Sequence, residues 1–507
     1  MSESPQRLLV FSPFALWKHH FETELEIIQT CLDNGWQVTM CRCSGELPIC
    51  EANQKHDHTV CRLCRSRFRS GVRWLNSSMV QQQPFFSLTD HEQQLVASLK
   101  DRVWQTANEV REFKIEGADI GLAAFSSTVD AARDPEPDIR RYQENFRKHV
   151  VTGAMVFFSA RHQLQAYPEA SILLFNGRFS TVRPALRAAQ LLGNTALVHE
   201  RSGKTERYSI TTNTYPHDLN NLKRQIDTVY CQSPHTEEEK TAIALQWFQD
   251  RRGGADQGWV SFTKEQQQDA LPEGFDRNHC NVVIYNSSED EMVAIEGWEN
   301  QFYRNQNDAI TRLMEDLKDV PELRVFLRVH PNLKNRINSQ TEGLEVLRHR
   351  FPALQVIPAD SSISSYALLD AADVVLTFGS TIGIEAVYAG RVSILMGRAL
   401  YEDFDVCICP SSHAELVSLL QECAAGNKPD MPVGYRNGLV KYGYFYQEWG
   451  VPYKYLCATE LFSKKMKKDG RVSLIRPDIF ALGSARMKRW YGSCSKRLNR
   501  LVESDKI

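Results

Sequence analysis

The stretch DVVLTFGSTIGIEAVYAG, residues 373–390, decides the fold of the second half of the chain. Residues 373–378 are mostly apolar, which predicts a buried strand, and residues 381–389 have the pattern of a short helix. A strand that runs through a Gly-Ser-Thr turn into a helix is typical of a parallel α/β sheet. This arrangement places the hydroxyls of Ser380 and Thr381, with backbone N–H groups, at the carboxyl edge of the sheet, where the helix dipole favours a phosphate.

Glu385 lies four residues after Thr381 and therefore on the same face of the predicted helix. Its carboxylate can accept hydrogen bonds from ribose or sugar hydroxyls there. Gly379 and Gly383 leave room for a ligand to approach the backbone closely. These residues predict a nucleotide or sugar-phosphate site, and the alternative is an ordinary helix start with a small-residue packing face.

A second motif, RVFLRVHPN at residues 324–332, predicts another strand of this sheet. Alternation along the strand puts Arg328 and His330 on one face, and Pro331 ends the strand, so that His330 emerges at the ligand-bearing edge. Arginine and histidine can both donate hydrogen bonds to phosphate oxygens. We therefore expect both residues to bind a phosphate, and the alternative is a purely structural role for the histidine.

A polar loop, NSSEDE at residues 286–291, follows a predicted strand at residues 281–285. Ser288 and Glu289 are candidates for donor binding in this loop. Ser288 and Glu291 also have the spacing of a capping box, which would make the loop a helix start with no ligand role. The sequence contains neither a P-loop motif nor the standard dinucleotide fingerprint.

The first half of the chain has its own alternation of strands and helices. Strands are predicted at residues 8–11, 36–40, 171–175 and 195–199, and helices at residues 21–32 and 181–192. Two of the loops that follow carry Asn176 and Arg178, and His199, Glu200 and Arg201. We expect these residues on the acceptor side of a cleft, with His199 and Glu200 as a candidate general base and a salt-bridged loop as the alternative.

A polar stretch rich in Gly and Gln at residues 251–278 predicts a domain boundary. The expected architecture is α/β, with two Rossmann-like domains, residues 1–275 and 276–425, facing a cleft. Residues 426–507 are expected to form a helical extension, with a basic amphipathic helix at 485–502. That helix predicts either packing on its own protein or binding to an anionic membrane surface.

Cysteines cluster in an insertion at residues 41–64. The spacing C-x6-C-x10-C-x2-C can supply a closed tetrahedral zinc site, which would be structural rather than catalytic. The predicted ligands are Cys43, Cys50, Cys61 and Cys64, with Cys41, His56 and His58 as substitutes. Because only one CxxC pair is present, free or redox-active thiols are the alternative.

The charge distribution argues against a nucleic-acid binder. The chain has 60 Lys and Arg against 62 Asp and Glu, and residues 461–507 hold 13 of the basic residues with only 4 acidic ones, so that the rest of the protein is acidic.

No apolar stretch reaches the roughly 18 residues of a membrane span. The cysteines outside the cluster are scattered, which is typical of a reducing compartment. We expect a cytoplasmic protein, with the tail as its means of docking on the inner membrane face.

A family resemblance is carried by three segments: RVHPN at residues 328–332, SSYALLDAADVVLTFGSTIGIEAVYAG at 364–390 and MGRALYEDF at 396–404. Together they resemble the donor-binding half of GT-B glycosyltransferases of bacterial surface-polysaccharide assembly. The chain is similar in particular to capsule polysaccharide biosynthesis proteins, including Kdo-transferring and polyol-phosphate-transferring members. Over residues 1–250 it resembles an acceptor-binding Rossmann-like domain more generally.

The resemblance implies an enzyme that moves a sugar from a nucleotide-sugar donor to a surface polysaccharide or lipid-linked acceptor, without an organic cofactor. It implies that Arg328 and His330 contact the donor phosphate, that Ser380 and Thr381 cradle it, and that Glu385 orients the ribose or sugar. The cysteine insertion departs from the general pattern, and no motif identifies the catalytic base. A nucleotide-sugar epimerase of the same fold and a non-catalytic, zinc-bearing subunit of an assembly complex are the alternatives.

Overall fold

The computed structural model describes residues 6–75, 77–257, 266–267, 270–460 and 463–477. The chain forms two compact units. The first unit contains Met1–Ala132, Glu136–Pro216 and Gly450–Ile507, and the second contains Arg133–Pro135 and His217–Trp449. The main division thus falls at residue 216, whereas the predicted boundary lies at residue 275.

The first unit is built on a seven-stranded sheet. Its strands are β1 (Arg7–Phe11), β2 (Gln37–Arg42), β3 (Val80–Pro84), β4 (Ser171–Phe175), β5 (Ala196–Arg201), β6 (Arg207–Thr212) and β12 (Val451–Pro452). Five of them are parallel in the spatial order β3-β2-β1-β4-β5, and β6 and β12 continue the sheet in antiparallel fashion beyond β5. The parallel part has the strand order of a Rossmann-type half.

Seven α-helices accompany this sheet in the described part of the first unit. They are α1 (Lys18–Asp33), α2 (His58–Trp74), α3 (Asp90–Leu99), α4 (Ala107–Arg111), α5 (Ile120–Ala132), α6 (Gln143–Ala166) and α7 (Arg183–Leu192). The long α6 is buried along most of its length between α5 and α7. Its Gly153 permits this close packing, because a Cβ there would lie 2.8 Å from the side chain of Ile120.

The second unit repeats the same topology in a fully parallel sheet. Its strands are β7 (Cys280–Tyr285), β8 (Leu323–Arg328), β9 (Leu354–Ile357), β10 (Val374–Thr377) and β11 (Val392–Leu395). They have the spatial order β11-β10-β7-β8-β9, so that β7 lies in the centre and is buried along its whole length. Such a strand buried on both faces reads as a nearly continuous apolar run, as the residues of β7 do.

Eight α-helices accompany the second sheet within the described residues. They are α8 (Leu219–Cys231), α9 (Glu237–Arg252), α10 (Gln306–Asp316), α11 (Ser339–Arg350), α12 (Ser365–Ala371), α13 (Ile382–Tyr388), α14 (His413–Ala424) and α15 (Tyr435–Glu448). Helices α8, α9 and α15 share one aromatic core with α13, formed by side chains such as Trp247, Phe248, Tyr442 and Phe445. This core is the reason that residues 217–252 belong to the second unit.

The structure confirms the predicted fold class of two Rossmann-like domains. The predicted strands and helices of both halves occur, usually within two or three residues of their expected ends. Helix α10 begins after Asn305, whose side chain caps it by accepting a hydrogen bond from the N–H of Asp308. No helix within the described ranges is long and apolar enough to cross a membrane.

The helical extension predicted from residue 426 is wrong for the described residues after 450. A three-stranded antiparallel sheet follows instead, formed by β13 (Leu456–Glu460), β14 (Ser463–Lys468) and β15 (Arg471–Ser473). Asp469 and Gly470 adopt positive φ angles of 50° and 75° between β14 and β15, as a tight hairpin turn requires. The predicted basic helix at 485–502 lies outside the described residues.

Glu26 of α1 holds the start of this small sheet. Its buried carboxylate accepts hydrogen bonds from the backbone N–H groups of Lys454, Tyr455 and Leu456 at 2.7, 2.7 and 2.8 Å. Burial raises the pKa of Glu26, although these three hydrogen bonds oppose the shift. One side chain of the first α-helix thus fixes the returning C-terminal segment.

Replacing Glu26 tests this anchor. We expect Glu26→Ala to lower the free energy of unfolding by about 3 kcal/mol, because three backbone donors lose a charged acceptor. Glu26→Gln is the matched control and should cost less, since its carbonyl oxygen still accepts. Urea unfolding measures both, and equal losses in the two variants would contradict the role of the carboxylate.

Candidate functional site

The predicted donor residues lie at one edge of the second sheet. Strands β10, β7 and β8 are neighbours and run parallel, so that the loops after them begin at the same carboxyl edge. Between β7 and β10 the strand order reverses, and ligands of open α/β sheets bind outside the strand ends at such a point. The loops there begin with Asn286 after β7, Val329 after β8 and Phe378 after β10.

The two glycines of the turn after β10 serve the packing of the chain itself. Gly379 has a φ angle of 103°, and a Cβ there would lie 2.2 Å from the carbonyl oxygen of Arg398. A Cβ on Gly383 would lie 2.4 Å from the hydroxyl of Tyr401 and 2.6 Å from Thr377. Packing within the same unit therefore already requires glycine at both positions, and the expectation that they make room for a ligand stays a prediction.

Ser380 and Thr381 are held by neighbours on both sides. The N–H of Ser380 donates to the hydroxyl of Thr377 at 3.1 Å, and its carbonyl oxygen accepts from the hydroxyl of Tyr401 at 2.6 Å. The hydroxyl of Thr381 accepts a hydrogen bond from Arg251 at 3.1 Å. The turn is thus rigidly placed at the start of α13, and its predicted contact with a phosphate stays a prediction.

Glu385 is 1% exposed and forms a triad with two partly buried residues of other helices. Its Oε1 accepts from Nε of Arg251 at 3.0 Å, and its Oε2 accepts from the hydroxyl of Tyr366 at 2.5 Å. Burial raises the pKa of Tyr366. Burial by itself lowers the pKa of Arg251, but its neighbours, Glu385 foremost, together have the larger effect and the pKa is raised. Both oxygens of Glu385 therefore bind within the unit, and its role toward a sugar hydroxyl stays a prediction.

Arg328 ends β8 as a buried cation, only 2% exposed. Its guanidinium donates to the carbonyl oxygens of Pro358 and Ser361, while its Nε has no hydrogen-bond partner. Burial lowers its pKa. Within the described residues no carboxylate forms an ion pair with it, although the charge of Asp360 acts on it from farther away. A buried charge without a close counter-charge is costly. This is the electrostatic setting in which a bound anion stabilises a protein.

His330 follows two residues later and is neutral at neutral pH. Its backbone N–H donates to Oδ1 of Asn286 at 2.8 Å, and its Nδ1 accepts from the N–H of Asn332 at 3.2 Å. Burial lowers the pKa of His330 to about 4. Because Nδ1 accepts, Nε2 carries the proton and is the donor of the ring. Nδ2 of Asn286, also buried, has no hydrogen-bond partner in the described structure.

Ser288 and Glu289 support the loop after β7. The hydroxyl of Ser288 donates to Asp290 at 2.5 Å, and Ser288 makes no capping hydrogen bond to the turn that follows. Glu289 accepts from the N–H of Gln306 at 2.7 Å and donates its own N–H to Gln340 at 3.1 Å. Glu289 thus caps α10 from outside, and the predicted capping box of Ser288 with Glu291 is not formed.

A pocket of about 380 Å³, which was not predicted from the sequence, lies beside the end of β11. Its wall includes Lys223, Phe302, Arg398, Glu402 and Asp403. Arg398 and Lys223 both pair with Glu402, at 2.6 and 2.7 Å. Burial by itself raises the pKa of Glu402, but its partners, these two cations foremost, together have the larger effect and the pKa is lowered. The segment MGRALYEDF supplies five of the sixteen residues that line this pocket, so that the signal was present in the sequence without a residue being assigned to it.

In the first unit, the structure brings Asn176 and Glu200 together. Nδ2 of Asn176 donates to Oε2 of Glu200 at 2.8 Å across the ends of β4 and β5. The other oxygen of Glu200 accepts from the N–H of Arg201 at 2.9 Å and lies 4.0 Å from Nδ1 of His20. Asn176 has a φ angle of 59°, which positions its amide at the strand end.

His199 does not share this location. Adjacent residues of a strand point to opposite faces, and His199 is fully buried with its Nε2 3.6 Å from Glu24. The predicted pairing of His199 with Glu200 is therefore not formed. Arg178 stacks on the ring of Phe179 at 4.7 Å and has a nitrogen 3.9 Å from Asp130.

The four predicted zinc ligands are free, partly buried thiols of the first unit. Cys61 and Cys64 lie in the first turns of α2, and Sγ of Cys61 accepts from Nδ2 of Asn53 at 3.2 Å. Burial raises the pKa of Cys43 to about 12 and that of Cys64 to about 11. Among the described residues no group of three or more His, Cys, Asp or Glu side chains has the arrangement of a metal site. The zinc site stays a prediction.

Comparison with known proteins finds no matching family model and no matching curated sequence. Similar solved structures include the beta-Kdo 2,4-transferase KpsC of Thermosulfurimonas dismutans, with 14% identity and a TM-score of 0.33, over 60% of this chain and 84% of that chain. The UDP-GlcNAc 2-epimerase of Neisseria meningitidis has 10% identity and a TM-score of 0.27, over 86% of this chain and 97% of that chain. The spinosyn rhamnosyltransferase SpnG has 12% identity and a TM-score of 0.26, over 87% of this chain and 95% of that chain.

The buried pair of Glu385 and Arg251 gives a stability prediction. We expect Arg251→Met to cost about 3–5 kcal/mol of unfolding free energy, because it leaves the Glu385 carboxylate buried without its cation. The double variant with Glu385→Gln should recover most of that loss. Urea unfolding measures the cycle. The control is Arg252→Met, which removes the ion pair of Arg252 with Asp370, a side chain that is 46% exposed. This variant should lose only about 0–1 kcal/mol of unfolding free energy. Equal losses for Arg251→Met and Arg252→Met would contradict the role of the Arg251–Glu385 pair.

Metal analysis tests the cysteine cluster. We expect about one zinc per chain in protein purified without chelator, because four thiols in this spacing can close a tetrahedral site. Cys61→Ser with Cys64→Ser should remove the metal, and the exposed Cys231→Ser should keep it. Folded wild-type protein that contains no zinc, and binds none on titration, would refute the site.

Proposed function

We propose that this protein is a glycosyltransferase that moves a sugar from a nucleotide-activated donor to a surface polysaccharide or lipid-linked glycan acceptor. The observation that carries the proposal is Arg328, a buried guanidinium at the carboxyl edge of the second sheet with no carboxylate partner in the described structure. An anionic ligand is the natural counter-charge for such a group. The diphosphate of a nucleotide sugar has the required charge.

Neighbouring groups at the same edge favour phosphate or sugar over a simple anion. The buried Nδ2 of Asn286 lacks a hydrogen-bond partner, and the ring of His330 has its proton on Nε2. Both groups are neutral donors, which suit oxygen atoms of a sugar phosphate. Ser380 and Thr381 provide the adjacent turn, and departing phosphate charge would be stabilised by Arg328 with these donors.

The pocket beside β11 is suited to the polar part of a donor. Arg398 and Lys223 offer cationic donors, and Glu402 and Asp403 offer acceptors for sugar hydroxyls. The exposed ring of Phe302 gives the pocket an apolar wall. Sites for small polar ligands commonly combine a few convergent polar groups with such a surface.

Glu200 is the candidate base for the acceptor. In the proposed step, the acceptor oxygen forms a bond to the anomeric carbon, the bond from that carbon to the phosphate oxygen breaks, and the nucleotide leaves with the electron pair. The acceptor proton passes to the carboxylate of Glu200, which Asn176 orients by a hydrogen bond at 2.8 Å. His199 is buried on the other face of β5 and has no part in this step.

Ligand-induced stabilisation tests the donor site. We expect one nucleotide or nucleotide sugar among CMP, CDP, UDP and GDP derivatives to stabilise the protein, by about 2.7 kcal/mol at a hundred times its dissociation constant. His330→Ala and Arg328→Lys should weaken this binding at least about tenfold, since each removes or displaces a donor. His279→Ala is the matched control, because His279 precedes β7 and pairs with Asp276 at the opposite end of the strand.

Product analysis then separates the candidate functions. A transferase consumes the bound donor only when an acceptor glycan is added, whereas an epimerase changes the sugar without an acceptor. No stabilisation by any nucleotide, in protein shown to be folded, would overturn the proposal and favour the non-catalytic assembly subunit.

A further inference from the structure

Helix α2 of the first unit presents a stripe of basic side chains to solvent. The helix contains five arginines and neither Asp nor Glu. Arg62, Arg69 and Arg73 are exposed, and their spacing of seven and four residues puts them on one face of the helix. Two others turn inward, where Arg67 pairs with the buried Glu22 and Arg65 donates to a carbonyl oxygen at 2.7 Å.

The hairpin of β14 and β15 exposes a second basic surface with apolar side chains among its lysines. Lys467 and Val472 are directly opposed and therefore share a face, together with Lys465. All three are exposed, and Val472 is 55% exposed. Met466, on the other face, is fully buried against α1 and α2. The hairpin thus has one face in the core and one basic, partly apolar face in solvent.

The two elements that carry these surfaces are in contact with each other. Nζ of Lys468 donates to the carbonyl oxygen of Trp74, the last residue of α2, at 3.1 Å. Nε of Arg67 donates to the carbonyl oxygen of Ile475 at 2.9 Å. We name five of the exposed cations of the two elements the basic face: Arg62, Arg69, Arg73, Lys465 and Lys467. In the ranges that the structure describes, no carboxylate forms an ion pair with any of them.

The charge of the basic face contrasts with the rest of the protein. The whole chain has more acidic than basic residues, so that a cluster of five unpaired cations is a local feature. Some cations elsewhere in the described structure are paired, as Lys441 is with Asp227, whereas five neighbouring ones in the basic face have no such partner. A basic cluster of this kind attracts a surface of opposite charge.

We propose that the basic face docks the protein on an anionic phospholipid surface. Each Lys or Arg near such a surface adds attraction, and exposed aliphatic side chains beside them can enter the interface. Val472 and Leu474, 55% and 43% exposed, are aliphatic side chains of this kind. Proteins that bind single-stranded nucleic acids stack bases on aromatic side chains instead. The proposal is independent of the enzymatic activity and of the residues after 477.

Vesicle co-sedimentation of the full chain tests the docking. We expect binding to phosphatidylcholine vesicles that contain about one third phosphatidylglycerol, no binding to pure phosphatidylcholine vesicles, and a strong decrease in binding as salt is raised. The variant with Arg62, Arg69, Arg73, Lys465 and Lys467 all changed to Gln should bind at least about tenfold more weakly. Val472→Ser with Leu474→Ser should weaken the binding that remains at high salt.

A matched variant and a tail variant make the result decisive. Lys100→Gln with Arg140→Gln removes two exposed cations elsewhere on the first unit and should leave binding unchanged. If changing Lys488, Arg489, Lys496 and Arg497 to Gln abolished binding while the basic-face variant bound normally, the proposal would be wrong. Equal binding to neutral vesicles, or tight binding to RNA with none to anionic vesicles, would also overturn it.

Discussion

The central position of β7 is the constraint on which the second unit depends. Parallel pairing with β8 on one side and β10 on the other fixes three strand ends at one edge. Asn286, His330 and Ser380 are far apart in sequence, yet they begin or follow the loops at that edge. Because the strand order reverses between β7 and β10, the same pairing leaves a place where no helix crosses over the sheet edge. The chemistry of the site therefore follows from the backbone hydrogen bonds of one buried strand.

Charged residues near this edge differ in whether they have a counter-charge. Glu385 is satisfied by Arg251 and Tyr366, so that its carboxylate stabilises the junction of three helices. Glu289 is satisfied by the start of α10. Arg328 is bonded only to carbonyl oxygens, and burial disfavours its charged form. The arrangement thus leaves Arg328 without an ion-pair partner among the described residues, and this observation carries the proposed donor site.

Much of the fold could be predicted because strands and helices leave local patterns. The apolar run of β10 and the turn after it were sufficient to place Ser380 and Thr381 at the start of α13. The partners of Glu385 could not be predicted, since Arg251 is 134 residues away and comes close only through packing of α9 against α15 and α13. The same holds for the domain division, because an aromatic core, rather than the polar linker, decides to which unit residues 217–252 belong. The predicted pairing of His199 with Glu200 failed because adjacent strand residues point to opposite faces.

The returning C-terminal segment connects three features of the first unit through α2. Glu26 fixes the start of the small sheet, and the hairpin of that sheet packs against the end of α2 through Lys468. The other end of α2 begins at Asp57, whose side chain caps the helix, and carries Cys61 and Cys64 in its first turns. Any group that holds these cysteines also fixes the start of the helix, and a helix fixed at both ends presents its arginine stripe in one orientation. Cys61, Cys64 and the three arginines of the basic face are therefore carried by one helix, so that the position of α2 governs both features.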